Sequence, residues 1–366
     1  MKKDRIRYAV VGLGHISQVA ALPPFKKRNF KSQLCALVSG TPEKLKKVGK
    51  QYKIDRLYDY SEYDELLESG EVDAVYIGLP NTMHYDYAKR AIEKGIHVLC
   101  EKPLCPTEKE CIELIKAAEE NKVKLMTAYR LHFEPINLKV LELIKKNKIG
   151  EPVTFSSVFS YQIKDENIRL DQEKAGGAIF DIGIYCVNAA RSVFGEGPQA
   201  VYGNLIKGQD KRFKEVDGTV NALLFFSEGR SAQFTASFAA FSRSYYEVVG
   251  TKGSIRVEPA YEYAEGLAMT VTTERGKKVI KHKKIDQFAA EIEYFSECIL
   301  KNKKVKADGK EGLADIQVIR AIEESSSKGK LIRLEQINTE GPQTKEKRRY
   351  DSHGKPNLVG VESAGV

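Results

Sequence analysis

Over its first 130 residues the chain alternates short apolar runs with amphipathic stretches of ten or more residues, and few folds satisfy that pattern. Residues 6–11 (IRYAVV), 34–39 (LCALVS), 72–78 (VDAVYIG), 97–101 (HVLCE) and 124–129 (KLMTAY) read as strands. Their near-continuous apolar character is that of strands buried on both faces. Between them, Thr41 with Glu43 opens a lysine-rich helix, Asn81 is placed to cap a helix over 83–94, and Thr107 with Glu110 forms a reciprocal cap for a helix through Asn121. A helix from about Ile16 must end or kink at Pro23-Pro24. Parallel strands joined through helices of this length require right-handed crossovers, so residues 1–130 are expected to form a doubly wound parallel sheet of the dinucleotide-binding kind.

The pattern changes after about Gly150. A strand over 153–161 and a helix over 177–194 precede closely spaced β-rich segments at 200–206, 219–226, 232–238, 245–249, 254–257, 269–273 and 278–282. Turn signals at 227–229 (SEG) and 251–253 (TKG) separate several of them. This predicts a second α/β domain over 131–335, built on an open, mostly antiparallel sheet with one face to cover. Asp286 is placed to cap an amphipathic helix (QFAAEIEYFSECILK), and 312–327 supplies a last helix before a strand at 331–334. Residues 336–366 are polar and glycine-rich and are expected to form a flexible tail.

A length of 366 residues suits two domains, each long enough for its own core. The net charge of +9 comes from scattered lysines, without a reading helix or an aromatic-interleaved stacking platform, so no nucleic-acid partner is expected. No apolar run approaches the ~18 residues that span a bilayer, so no membrane partner is expected either. MKKDR at the N-terminus passes straight into a strand without an apolar signal region, which points to the cytoplasm. Six cysteines show no CxxC spacing and six histidines form no H-x-x-x-H pair, so no metal site is expected.

Three segments carry chemistry. Gly12-Leu13-Gly14 follows the first strand: the first glycine permits a sharp turn, the second lets a pyrophosphate approach the backbone, and His15 and Ile16 open the helix that receives its charge. Ser17 replaces the third glycine of that fingerprint and is still small. The second strand ends Ser39-Gly40-Thr41, with Lys44 shortly after. Two hydroxyls and a lysine accept a 2′-phosphate where an acidic residue would repel one, which favours NADP, with NAD possible. A polar loop unrelated to the phosphate remains the other reading.

Lys102, in Cys100-Glu101-Lys102-Pro103, lies beyond a buried strand at the carboxyl edge, where ligands bind in such sheets. Asp181 and Tyr185 are four apart on a predicted helix, which places them on one face. A phenol with a reference pKa of about 10 needs a nearby cation to act as a base near neutrality, and Lys102 is a candidate. By spacing alone, Tyr185 equally suits an amphipathic core position, and Lys102 an ordinary surface site.

Taken together, GLGHIS (12–17), LVSGTPEK (37–44), GLPNTMH (78–84), HVLCEKPL (97–104), AYRLHFEP (128–135), GGAIFDIGIYCVNAARSVFG (176–195), GTKGSI (250–255) and DQFAAEIEYFSECI (286–299) resemble the Gfo/Idh/MocA family of NAD(P)-dependent oxidoreductases. The branch most similar is that of glucose–fructose oxidoreductase. The resemblance covers about residues 5–335 and implies a Rossmann domain followed by an open-sheet domain that makes homodimers or homotetramers. It matches Lys102, Asp181 and Tyr185 to the family's catalytic lysine, aspartate and acid/base tyrosine. It places Ser39 and Lys44 at the 2′-phosphate, and Pro80, Asn81, His84, Glu101 and Arg130 along the cofactor. The long secretory and arm segment of the periplasmic glucose–fructose enzymes has no counterpart here.

The expectation is an NADP-dependent oxidoreductase that moves hydride between nicotinamide and a sugar or cyclic polyol, at C1 of an aldose. The alternatives are a nicotinamide-dependent glycoside-cleaving enzyme of the same fold and a non-catalytic, dinucleotide-binding sugar sensor.

Overall fold

The structure, a computed structural model, describes residues 4–27, 30–337, 339, 350–354 and 356–363. They form two compact units, one drawn from 4–130, 286–312 and 350–363, the other from 131–285 and 313–339.

In the first unit six strands, Ile6–Val11 (β1), Ser32–Val38 (β2), Leu57–Tyr58 (β3), Ala74–Ile77 (β4), His97–Glu101 (β5) and Leu125–Ala128 (β6), form a sheet in the order β3-β2-β1-β4-β5-β6. Every neighbouring pair is parallel. All of β4 and all of β1 but Arg7 are buried, as strands covered on both faces must be. Chain order reverses between β1 and β4, and that reversal opens a crevice at their carboxyl ends.

The helices Pro42–Tyr52 (α1), Tyr63–Glu68 (α2), His84–Glu93 (α3) and Glu108–Glu120 (α4) connect these strands. Thr107 and Glu110 form the reciprocal cap read from the sequence: the Glu110 N–H donates to Thr107 Oγ1 at 3.2 Å and the Thr107 N–H to Glu110 Oε2 at 3.1 Å. Asn81 does not cap α3. It starts a 3₁₀ turn, Asn81–Met83, which the Met83 N–H closes on the Pro80 carbonyl at 2.9 Å. The segment after the glycine turn is a wide π-type turn, Ser17–Ala21, with the Leu22 N–H bonded to the Ser17 carbonyl at 2.8 Å. It stops where Pro23 and Pro24 offer no N–H.

Residues 286–312, assigned from the sequence to the second domain, lie in the first unit. Asp286 caps the helix Gln287–Leu300 (α7), accepting from the Ala289 N–H at 2.9 Å. Residues 287–296 of α7 are all buried, so the helix is covered nearly all round rather than amphipathic. Ser296 explains the choice of neighbour, since its hydroxyl bonds Tyr8 of β1 at 2.9 Å and Ser32 of β2 at 2.7 Å. Of the expected tail, residues 340–349 lie outside the described residues, whereas 350–354 and 356–363 rest on the first unit.

The second unit is a nine-stranded sheet of Pro152–Ser160 (β7), Ala200–Ile206 (β8), Thr219–Phe225 (β9), Ser231–Ser237 (β10), Arg243–Gly250 (β11), Gly253–Val257 (β12), Ala268–Thr273 (β13), Gly276–Lys281 (β14) and Ile332–Arg333 (β15). The order is β14-β13-β12-β11-β7-β10-β9-β8-β15, antiparallel throughout except where β10 runs parallel to β7. Helices Pro135–Lys145 (α5) and Ile184–Phe194 (α6) belong to this unit, as does most of Gly309–Lys328 (α8). In β9 the pattern alternates strictly, with Val220, Ala222 and Leu224 buried and Leu223 and Phe225 exposed. The cross-strand register puts Tyr202, Leu223, Phe225 and Val249 on that outward face.

Candidate active site

In the first unit the glycine turn meets the end of β4. Gly12 has φ +90°, and a Cβ there would lie 2.5 Å from the Gly78 carbonyl oxygen, so the chain itself demands glycine. At Gly14 the nearest atom to an added Cβ is 3.9 Å away, which leaves a hollow above the backbone. Ser17 takes the third glycine's place because Gly78 faces it, where a Cβ would come within 2.5 Å of the Ser17 hydroxyl. That hydroxyl is buried and has no hydrogen-bond partner among the described residues. An open hollow, an unpaired hydroxyl and the early N–H groups of His15 and Ile16 fit the pyrophosphate of a dinucleotide.

At the end of β2, Ser39 is buried and its hydroxyl accepts from the Thr41 N–H at 3.4 Å. Tyr60, which the sequence did not flag, hydrogen-bonds the Gly40 backbone and the Ser39 side chain, and its ring would sit 2.8 Å from a Cβ on Gly40. Lys44 lies half-buried in the first turn of α1, which begins just after Thr41. Hydroxyls and an ammonium, without a carboxylate between Ser39 and Thr41, make a setting that accepts a phosphate.

The loop after β5 carries Lys102, half-buried at the carboxyl edge of the sheet. His84 ties this loop to the one after β4: Nδ1 faces the Pro103 carbonyl at 2.8 Å and Nε2 the Leu79 carbonyl at 3.0 Å. The ring is fully buried, which lowers its pKa, and both nitrogens are spent on backbone. His84 therefore positions the loops. Glu101 is also buried and accepts a hydrogen bond from the Tyr76 hydroxyl. Burial pushes its carboxyl up, against the opposing pull of Tyr76, Lys102 and Arg130. Arg130, itself buried, donates to Gln287 Oε1 of α7 at 2.8 Å. Pro80 and Asn81 form the turn at the edge of the crevice.

In the second unit Asp181 and Tyr185 do not share a regular α-helix. Residues Ile179–Gly183 form a π-type turn, marked by the bond from the Ile184 N–H to the Ile179 carbonyl, before α6 begins. The wider turn changes the rotation between the two side chains. Asp181 Oδ2 accepts from Arg169 Nε at 2.7 Å and from the Tyr161 hydroxyl at 3.1 Å. Burial and the Asp181 charge push the Tyr161 phenol up. Burial works against the Arg169 cation, but Asp181 and the neighbouring tyrosines together outweigh it and the guanidinium ends above its ordinary value. The Phe159 ring neighbours both tyrosines, with its centroid 6.3 Å from that of Tyr161 and 5.8 Å from that of Tyr185.

Tyr185 also lines a cleft with His132, Asn137, Asn188 and Tyr246. There His132 Nε2 meets Asn188 Oδ1 at 2.8 Å, and Asn188 Nδ2 donates to Asp315 at 2.9 Å. Sequence reasoning missed Tyr161, Arg169, His132 and Asn188. The signals were position-specific: a tyrosine at a strand end, one arginine between that strand and the next helix, and an asparagine three residues after Tyr185.

Both halves of the chain match one family of known proteins. Residues 6–129 match the oxidoreductase family with an NAD-binding Rossmann fold, and 137–256 match the GFO/IDH/MocA C-terminal domain. The chain belongs to the Gfo/Idh/MocA oxidoreductases. Among its relatives is the D-xylose 1-dehydrogenase (NADP(+)) of Haloarcula marismortui, 33% identical over 90% of this chain and 93% of that protein. The aldose–aldose oxidoreductase of Caulobacter crescentus has a crystal structure that superposes with a TM-score of 0.85 at 35% identity, covering 90% of this chain and 100% of that one. A 3-ketoreductase of Actinomadura kijaniata in complex with NADP and TDP-benzene superposes with a TM-score of 0.80 at 26% identity, over 88% of this chain and 98% of the other. As a Gfo/Idh/MocA member the chain is an oxidoreductase of CH–OH groups of the sugar type. Among the described residues no helix is long and apolar enough to cross a membrane, and no cluster of His, Cys, Asp or Glu could hold a metal ion. All six cysteines are buried, and none is in a disulfide.

Proposed function

We propose that this Gfo/Idh/MocA protein is an NADP-dependent dehydrogenase of a sugar or cyclic polyol, acting at C1 of an aldose in its ring form. The observation that carries the reading is the Arg169–Asp181–Tyr161 cluster beside Tyr185. It holds a carboxylate oriented next to a phenol, an arrangement suited to a neutral polyhydroxyl substrate. Relatives described as NADP-dependent xylose dehydrogenases, and a superposable aldose–aldose oxidoreductase, support it.

The first-unit residues would hold the cofactor: Gly12, Gly14, His15 and Ile16 at the pyrophosphate, Ser39, Thr41 and Lys44 at the 2′-phosphate, and Pro80, Asn81 and Lys102 along the nicotinamide half. The nicotinamide, when bound, supplies a hydride acceptor at its C4. Tyr185 as phenolate takes the proton of the C1 hydroxyl as the C1–H bond gives up its hydride and a C=O bond forms. Lys102, which the resemblance matches to the family's catalytic lysine, would bind the reacting oxygen. Asp181, fixed by Arg169 and Tyr161, accepts hydrogen bonds from the sugar hydroxyls. An absorbance screen of aldoses, inositols and sugar acids with NADP and NAD in parallel tests the reading. Aldose turnover with NADP supports it, and sugar release without net cofactor reduction contradicts it.

The outward face of the second sheet, with Tyr202 43% and Leu223 41% exposed, is proposed as the contact with a second copy of the chain. Leu223→Glu should convert the oligomer to monomer in sedimentation equilibrium. An unchanged mass would remove this face from the interface.

A further inference from the structure

Residues 350–354 and 356–363 are anchored at two points on the first unit, and the second point lies at the dinucleotide crevice. The first anchor is Asp286, the cap of α7. The Asp286 N–H donates to the Tyr350 carbonyl at 2.9 Å, and Asp286 Oδ2 faces His353 Nδ1 at 3.1 Å. His353 Nε2 meets the Val19 carbonyl at 2.8 Å, Lys27 Nζ donates to the Asp351 carbonyl at 2.7 Å, and the Tyr350 ring stands edge-on to Phe30 at 6.0 Å. A backbone so tied is already ordered, so the residues beyond it pay less to settle on the surface.

The second anchor is Gln18, whose buried carboxamide pairs with Val359 as a strand neighbour would. The Val359 N–H donates to Gln18 Oε1 at 2.7 Å, and Gln18 Nε2 donates back to the Val359 carbonyl at 3.0 Å. The same Nε2 donates to the Leu13 carbonyl inside the glycine turn at 2.9 Å. The next residue, Gly360, has φ +57°, and a Cβ on it would lie 3.1 Å from Lys44 Cε. Two consecutive residues thus reach from the turn that fits a pyrophosphate to the lysine assigned to the 2′-phosphate. Both family matches end by residue 256, so neither assigns this segment a role.

We propose that residues 350–354 and 356–363 belong to a strap that retains the dinucleotide, with Val359 and Gly360 contributing to the wall around its adenosine half. The inference rests on the cofactor reading above. A strap closed over a bound nucleotide adds contacts that must break before it leaves, so it acts on the dissociation rate.

The test follows NADPH fluorescence during a chase with excess NADP(+). It compares the full chain, a chain ending at residue 349 and full-length Val359→Pro, which removes the N–H that bonds Gln18 without shortening the chain. Both variants should still saturate with NADPH but release it about tenfold faster, the effect of losing one or two net hydrogen bonds. Amide hydrogens of 356–363 should also exchange more slowly in the full chain when NADPH is bound. Equal release rates in all three proteins would overturn the strap. So would slower release from the shortened chain, which would make the segment an occupant of the crevice. No NADPH binding by the full chain would sink the cofactor reading itself, and the strap with it.

Discussion

Arg169 donates from Nε to Asp181 Oδ2 at 2.7 Å, linking the 3₁₀ turn Ile168–Leu170 to the π-type turn just ahead of Tyr185. The pair is partly shielded, with side chains 32% and 17% exposed, and Asp181 also accepts from Tyr161. A charge-assisted bond of this kind is worth roughly 1.5–3 kcal/mol. Arg169→Ala should therefore raise KM for the sugar and lower kcat/KM by about tenfold or more, leaving NADPH affinity unchanged. Arg169→Lys should recover part of the loss. An unaltered sugar KM in Arg169→Ala would remove Asp181 orientation from the account.

Lys44 is the only cation within six residues of Ser39, and no carboxylate stands between Ser39 and Thr41. Lys44→Glu places a negative charge where the 2′-phosphate is proposed to sit. The ratio of kcat/KM for NADP over NAD should fall by about tenfold to a hundredfold, on the order of 1.4–3 kcal/mol. Parallel kinetics with both cofactors read this directly, and an unchanged ratio would move the phosphate elsewhere.

Glu291 of α7 is fully buried, and neither of its carboxylate oxygens has a hydrogen-bond partner among the described residues. Burial, and then the nearby Glu101, push its pKa well above 4.5, while Arg130 opposes them. Between 4.5 and that raised value the folded chain binds more protons than the unfolded one, so the contribution of Glu291 to stability falls as pH rises through the interval. Glu291→Gln removes this slope. Its Tm relative to the parent should increase with pH, with a gain on the order of 1–3 kcal/mol once the parent carboxyl would be ionised. A Tm difference independent of pH would contradict the assignment.

Much of this was legible in the sequence because the decisive features are local. The apolar runs of β1 and β4, the Gly12 turn and the Thr107–Glu110 cap each need only neighbouring residues to specify them. What escaped depends on distant partners or on backbone geometry that spacing does not encode. The helix at 287–300 reads as part of the second domain because the chain reaches it after the second sheet. Ser296 bonds Tyr8 and Ser32, more than 260 residues away, and this puts it in the first unit. The pairing of Asp181 with Arg169, and the π-type turn that rotates it relative to Tyr185, likewise leave no periodic signature. Residues 350–354 and 356–363 read as solvated because their composition is polar, yet Tyr350, Asp351 and Val359 bond the first unit through backbone groups that composition does not report.

The central claim is that Tyr185 moves the proton, and Tyr185→Phe tests it most directly, measured by steady-state turnover of a good aldose alongside NADPH binding. Removing the phenol oxygen should cut kcat by about a hundredfold to ten-thousandfold, the usual weight of a positioned acid/base, with NADPH affinity intact. Turnover near that of the parent, with normal cofactor binding, would contradict the account.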